Sequence, residues 1–212
     1  MTFADVNGGD YDIKNIIPCD TTGGQLTNSK NKILVQKMDL TTGDLTEIYK
    51  YTTASNKGWC DASGNALDDG VLVLKSGEAI CVSNNQGADI TLRCAGEVIV
   101  TPVSTTVPTS SYALIGNMTP VAVDLKNIIP CDAAGEALTN SKNKILVQKM
   151  DSATGDLGDI YKYTTASGKG WCDAAGNALD AGIVMLQPGE AVCVGNNQGA
   201  SITLKFPSPL AE

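Results

Sequence analysis

The 212-residue sequence contains no histidine. That absence excludes Ser-His-Asp and Cys-His nucleophile pairs and every metal site that needs an imidazole. Aromatic residues are scarce, at 5%, so each ring is in demand for a core. Charged residues make up only 18%, and the formal balance is −8. A surface of that sign repels phosphate backbones and anionic headgroups, so nucleic acid is not an expected partner. Long apolar runs are missing too: Val71–Leu74 is typical, and far short of a membrane span, so no membrane insertion is expected. Thr2–Asp12 carries acids where a signal peptide would place basic and then apolar residues, and none is expected there. No Gly-x-Ser-x-Gly, phosphate-binding loop, dinucleotide fingerprint or Cys-x-x-Cys occurs. Two carboxylates alone suffice to hydrolyse a glycoside, but among 23 acids no pattern singles out a pair. The expectation is a protein that is not an enzyme and carries no cofactor.

What is present is a long internal repeat. Cys19 and Cys131, Cys60 and Cys172, and Cys81 and Cys193 are each separated by 112 residues. One gapless offset aligns Asn15–Arg93 on Asn127–Lys205 with roughly 59 identities over those 79 positions. A unit this long can bury its own core, so each copy reads as a module: 1–95, then a Pro/Thr/Ser linker at 96–110, then 111–212. The linker composition favours an extended, semi-rigid spacer, and Val98, Ile99 and Val100 could add a strand to it. The copies differ most at their start. Ser111–Pro120 leads into the second, and Thr2, Phe3, Ala4, Asp5 and Val6 are the candidate opening strand of the first.

Branched and aromatic residues mark strands at Lys32–Met38 and Ile48–Thr53, joined through the Thr-Gly-Asp turn in Asp39–Glu47. The same hairpin recurs at Lys144–Met150 and Ile160–Thr165. Val71–Leu74, Ala79–Val82 and Ile90–Cys94 follow as strands, and Asp12–Ile17 reads as a short turn ended by Pro18. No helical stripe exceeds about one turn. The predicted class is all-β, with two homologous β-sandwich or small-barrel modules.

Gly116-Asn117-x-Thr119-Pro120, Gly170-Trp171 and Leu186-x-Pro188-Gly189-x-Ala191-x-x-Val194 occur in that order in the second copy. This arrangement resembles a poorly characterised β-repeat of large secreted or surface-anchored bacterial proteins. The first copy keeps Gly58-Trp59 and Leu74-x-x-Gly77-x-Ala79-x-x-Val82 but lacks the Gly-Asn-x-Thr-Pro. The resemblance implies an all-β module, an extracellular or cell-surface setting and no reaction.

Asp61, Asn65 and Asp68 place oxygens at a spacing that suits a hard cation such as calcium. The second copy, Asp173 to Ala181, loses two other potential ligands, with Ala175 and Ala181 where the first has Ser63 and Asp69. An Asx-rich turn accounts for the same residues and is favoured. Trp59 and Trp171 are candidate stacking platforms for glycans, although a core role is favoured where rings are few. Tyr49 with Tyr51, and Tyr161 with Tyr163, share a strand face that either roofs the core or forms an adhesive stripe. Seven cysteines leave at least one unpaired. Cys19 with Cys60, and Cys131 with Cys172, are the pairs open to a disulfide within each copy, whereas Cys81 and Cys193 read as buried small hydrophobes. The longest identical run, Leu26–Asp39 on Leu138–Asp151, keeps polar residues from Asn28 to Lys32 that a core does not require. A structural or assembly subunit is the first expectation, associating with itself or with other surface proteins. A bivalent adhesion or carbohydrate-binding module is the alternative.

Overall fold

The structure is a computed structural model that describes residues 11–39, 42–75, 77–94, 104–151, 154 and 156–208. In the first copy the strands are β1 (Tyr11–Asp12), β2 (Ile17–Cys19), β3 (Lys30–Gln36), β4 (Tyr49–Thr52), β5 (Gly58–Cys60), β6 (Val73–Leu74), β7 (Cys81–Asn84) and β8 (Thr91–Arg93). Two strands follow before the second aligned region, β9 (Ser104–Val107) and β10 (Ser111–Gly116). The second copy repeats the first order as β11 (Val123–Asp124), β12 (Ile129–Cys131), β13 (Lys142–Met150), β14 (Leu157–Thr164), β15 (Gly170–Cys172), β16 (Met185–Leu186), β17 (Ala191–Asn196) and β18 (Ile202–Lys205). The all-β class stands. Among the described residues the only helical elements are four three-residue 3-10 turns, and none is long or apolar enough to cross a membrane.

Each copy is built on one antiparallel sheet, in the order β5-β4-β3-β7 in the first and β10-β17-β13-β14-β15 in the second. The small pairs β1-β6 and β11-β16, with β2-β8 and β12-β18-β9, complete the two halves. No sheet among the described residues closes into a barrel, so the small-barrel alternative is corrected. Closure needs a tilted and staggered ring of strands, whereas here the main sheets end at β5 and β15.

Alternation along the strands sorts side chains to two faces. Ile33 and Val35 point into the first core, and Ile145 and Val147 into the second, all fully buried. They meet Leu74 or Leu186 and the 3-10 turn residues Ile13 or Leu125, none of which is exposed. Burying each such aliphatic side chain is worth about 1.5–3 kcal/mol. The turns are pinned by acids: Asp12 accepts the N–H groups of Lys14 (2.9 Å) and Gly70 (2.7 Å). Asp124 does the same for Lys126 (3.0 Å) and Gly182 (2.6 Å).

The predicted hairpin strands lie within one to three residues of those found. Pro18, read as ending a turn, instead sits inside β2 opposite Leu92 of β8. Pro18 still uses its carbonyl, which accepts the Leu26 N–H (3.0 Å), so on this lateral strand the missing N–H forgoes a single bond. The segment 96–110 contains β9, at Ser104–Val107, which docks on β18 with Val107 fully buried in the second core. Val98–Val100 and Thr2–Val6 lie outside the described residues.

Candidate interaction surface

β10 is bonded along both of its edges. One edge runs the full length of β17, from Ser111 opposite Asn196 to Gly116 opposite Ala191. The other reaches the first copy, where the Ala79 N–H donates to the Leu114 carbonyl (3.1 Å) and the Gly116 N–H to the Gly77 carbonyl (3.3 Å). Pleating turns Ala113 and Ile115 into the second core and leaves Leu114 on the opposite face. There Leu114 packs with Met38 and Ala79 of the first copy and with Cys193 and Ala191 of the second. The junction is therefore an extension of strand pairing with a small apolar cluster beneath it.

Close approach at the junction depends on two glycines. Gly77 has φ +85, and a Cβ there would overlap the Thr105 side chain. Gly43 has φ +79, and a Cβ would stand 2.9 Å from the Tyr112 ring. The Thr105 hydroxyl is buried with no hydrogen-bond partner among the described residues. None of these contacts follows from the repeat itself, because Thr105 and Tyr112 precede the aligned region. The sole clue in the sequence is that the copies diverge there.

A second surface emerges from comparing the copies. β18 is flanked by β12 and β9, whereas β8 has only β2 beside it among the described residues. Ile202, Leu204 and Phe206 are at most 2% exposed, yet their counterparts Ile90, Leu92 and Cys94 are only half-buried. Val194 is sealed and its counterpart Val82 is half-buried.

Trp59 and Trp171 are 3% and 2% exposed, so neither offers a stacking face, and both belong to the core. Each indole N–H donates to a carbonyl of the 3-10 segment, Ile16 at 2.9 Å and Ile128 at 2.8 Å. Tyr51 and Tyr163 meet these rings edge to face, with centroids 5.3 and 5.2 Å apart, so the tyrosines roof the core. Asp61 spends its carboxylate on a turn, accepting the Asn65 backbone N–H (2.8 Å) and side-chain amide (2.9 Å). Those hydrogen bonds hold its carboxyl below the ordinary range, and Asp173 repeats the pattern with Asn177. Asp68 lies farther along the loop and is exposed. Among the described residues no group of three or more His, Cys, Asp or Glu converges as a metal would require.

All seven cysteines are free, so the disulfides considered for Cys19 with Cys60 and Cys131 with Cys172 are absent. The Cys19 thiol instead donates to the Ile17 carbonyl (3.4 Å) and the Cys60 thiol to Gly58 (3.8 Å). Cys193 is buried and Cys81 half-buried, both facing the other copy. The polar run after Leu26 has a structural use. Ser29 is fully buried, and its carbonyl accepts the Thr53 N–H (2.9 Å), while Asn31 takes φ 59 at a register shift in the hairpin. A concavity of about 720 Å³ lies between Asp132–Ala134 and Gln198–Ile202. Its one acid, Asp132, accepts the N–H groups of Ala134 (2.9 Å) and Glu136 (3.1 Å), a turn rather than a paired-carboxylate site.

Half-buried ion pairs repeat in both copies. Lys37 meets Glu78 at 2.8 Å and Lys149 meets Glu190 at 2.7 Å. Burial raises the Glu190 carboxyl, but hydrogen bonds from Lys149 and the Gln187 N–H outweigh it and leave it below its usual value.

The chain matches no known protein family, no curated protein and no solved structure.

Proposed function

We propose that this chain is a non-enzymatic structural or assembly subunit of an extracellular or cell-surface layer, filament or stalk. It is built from two β-sandwich-like copies that associate through strand edges. One observation carries the reading: β10 is hydrogen-bonded to both copies, so the protein already joins one unit to the next by edge pairing. Exposed backbone edges are ready templates for further pairing. The secreted bacterial setting is supported by the resemblance of the second copy to surface-anchored β-repeats. The glycan-binding alternative loses its two stacking rings to the core.

Size-exclusion chromatography with light scattering, followed by negative-stain microscopy, tests the reading on the full chain without reductant. A fixed oligomer, sheets or filaments is the expected outcome. A 22.0 kDa monomer that persists at high concentration overturns it.

A further inference from the structure

We propose that the outer edge of β8, with the adjoining end of β7, is a strand-acceptor slot. It takes an extended segment of a partner polypeptide with the chemistry of β9: valine pointing inward, threonine and serine elsewhere, and proline after the valine. The partner's place in an assembly rests on the function proposed above; the slot itself rests on the following geometry.

The second copy shows such a slot filled. β9 lies antiparallel on β18, pairing Ile202 with Val107, Thr203 with Thr106, Leu204 with Thr105 and Lys205 with Ser104. Subtracting 112 maps the acceptor residues onto Ile90–Arg93, which keep the sequence Ile-Thr-Leu followed by a basic residue. The apolar row of the acceptor is thus retained while the strand that seals its twin is not found beside it among the described residues. Its Ile90, Leu92 and Cys94 are half-buried where Ile202, Leu204 and Phe206, beside β9, are sealed.

An independent sign comes from Asn84. Its twin Asn196 is fully buried and donates its side-chain amide to the carbonyls of Val107 (3.0 Å), Pro108 (2.9 Å) and Ala200 (3.0 Å). Asn84 is exposed and donates to the Ala88 carbonyl (2.9 Å), the counterpart of Ala200. Both asparagines accept the N–H two residues ahead at 3.0 Å, Gln86 or Gln198, so the two side chains are held in the same pose. Asn84 therefore presents an oriented donor for the two carbonyls at the end of a β9-type strand. The Gln198 carbonyl, which receives the Thr109 hydroxyl (2.8 Å), has its counterpart in Gln86. Backbone pairing would supply affinity, and the pocket for the inward valine would supply specificity.

The probe is a synthetic peptide with the sequence of residues 103–112, VSTTVPTSSY, added to the full isotope-labelled chain. Slot occupancy predicts at least tenfold slower amide exchange at Thr91–Arg93 and a shift of the Asn84 side-chain amide. Replacing the peptide's valine at position 107 by aspartate should weaken binding more than tenfold. So should Asn84→Ala in the protein, an exposed change that spares the core. A second variant carries the same ten residues directly before Met1, which preserves the register of the repeat. It should protect Thr91–Arg93 and refuse the peptide. The proposal is overturned if this variant leaves Thr91–Arg93 exchanging as before. It is overturned equally if peptide binds only after residues 1–10 are removed, which would assign the edge to the chain's own start, or if protection appears at β18. Assembly without peptide binding sinks the slot and leaves the structural function standing. Peptide binding by a strict monomer does the reverse.

Discussion

The Cys193 thiol donates to the Met38 thioether at 3.8 Å across the junction, and their repeat counterparts Cys81 and Met150 make the same contact at 3.8 Å. The two copies thus present the same outer sheet face to each other in reciprocal fashion. The Cys193–Met38 pair lies in the apolar cluster with Leu114 of β10. Polarisable sulfurs suit such a seam because they fill irregular gaps without demanding a fixed geometry.

Leu114 is the centre of that seam, and Leu114→Asp would place an unpaired charge among Met38, Ala79 and Cys193. Burying an uncompensated charge costs several kcal/mol, so the copies should separate instead. Cys193 should then react with an alkylating agent while the indole fluorescence of both cores stays native. A Cys193 that remains protected would show that the junction does not depend on this cluster.

The tryptophans offer a test of core against surface. Trp59→Ala or Trp171→Ala should lower stability by about 3–5 kcal/mol through cavity formation. Trp171→Phe keeps most of the volume but orphans the Ile128 carbonyl, and should cost about 1–3 kcal/mol. Urea unfolding of each variant measures both. Losses below 1 kcal/mol would mean that the rings contribute little to the core.

Acid should weaken the protein through a small set of carboxyls. Asp20, Asp61, Asp173 and Glu190 all have folded values below their ordinary ones: hydrogen bonds lower the three aspartates, and for Glu190 the Lys149 and Gln187 bonds overcome burial. A depressed folded value means that the unfolded chain binds protons first, so the contribution is complete above the unfolded value. It is lost as pH falls through the folded value. Stability should therefore decline below about pH 4, and Asp173→Asn should flatten that decline. Carbon-detected titration of the side-chain carboxyls identifies which groups lag behind the rest.

Thiol chemistry should separate Cys94 from an ordinary cysteine. Burial pushes its thiol up to about 12, whereas an unperturbed cysteine titrates near 9.0. Alkylation of Cys94 at pH 8 should be slower by roughly a hundredfold or more, since the thiolate is the reacting form. Denaturant should release all seven thiols without reductant, because every cysteine is free. Fewer than seven would reveal a disulfide.

Much of the fold was legible because it follows from local alternation. Ile33 and Val35, or Ile145 and Val147, reach the core simply by standing two apart on a strand. Less legible were elements whose pairing is distant. The triplet Gly58-Trp59-Cys60 has no alternating pattern of its own, yet it becomes β5 because Tyr51 lies opposite Trp59. Ser104–Val107 reads as spacer from its composition and becomes β9 because β18 offers an edge and a pocket for Val107. Asn84 and Asn196 look alike in sequence, and the presence of β9 and β10 beside Asn196 distinguishes their surroundings.

By itself the sequence determined the duplication, the all-β class, the hairpin register signals and the turn roles open to Asp and Gly. These depend on residues near one another along the chain, where steric and hydrogen-bond preferences act directly. Tertiary structure alone decided that the tryptophans face inward, that the cysteines stay free, that β10 serves two copies and that β8, among the described residues, has only β2 beside it. Each of those outcomes depends on what lies across space from a residue, and burial and edge pairing are set by partners that chain order does not name.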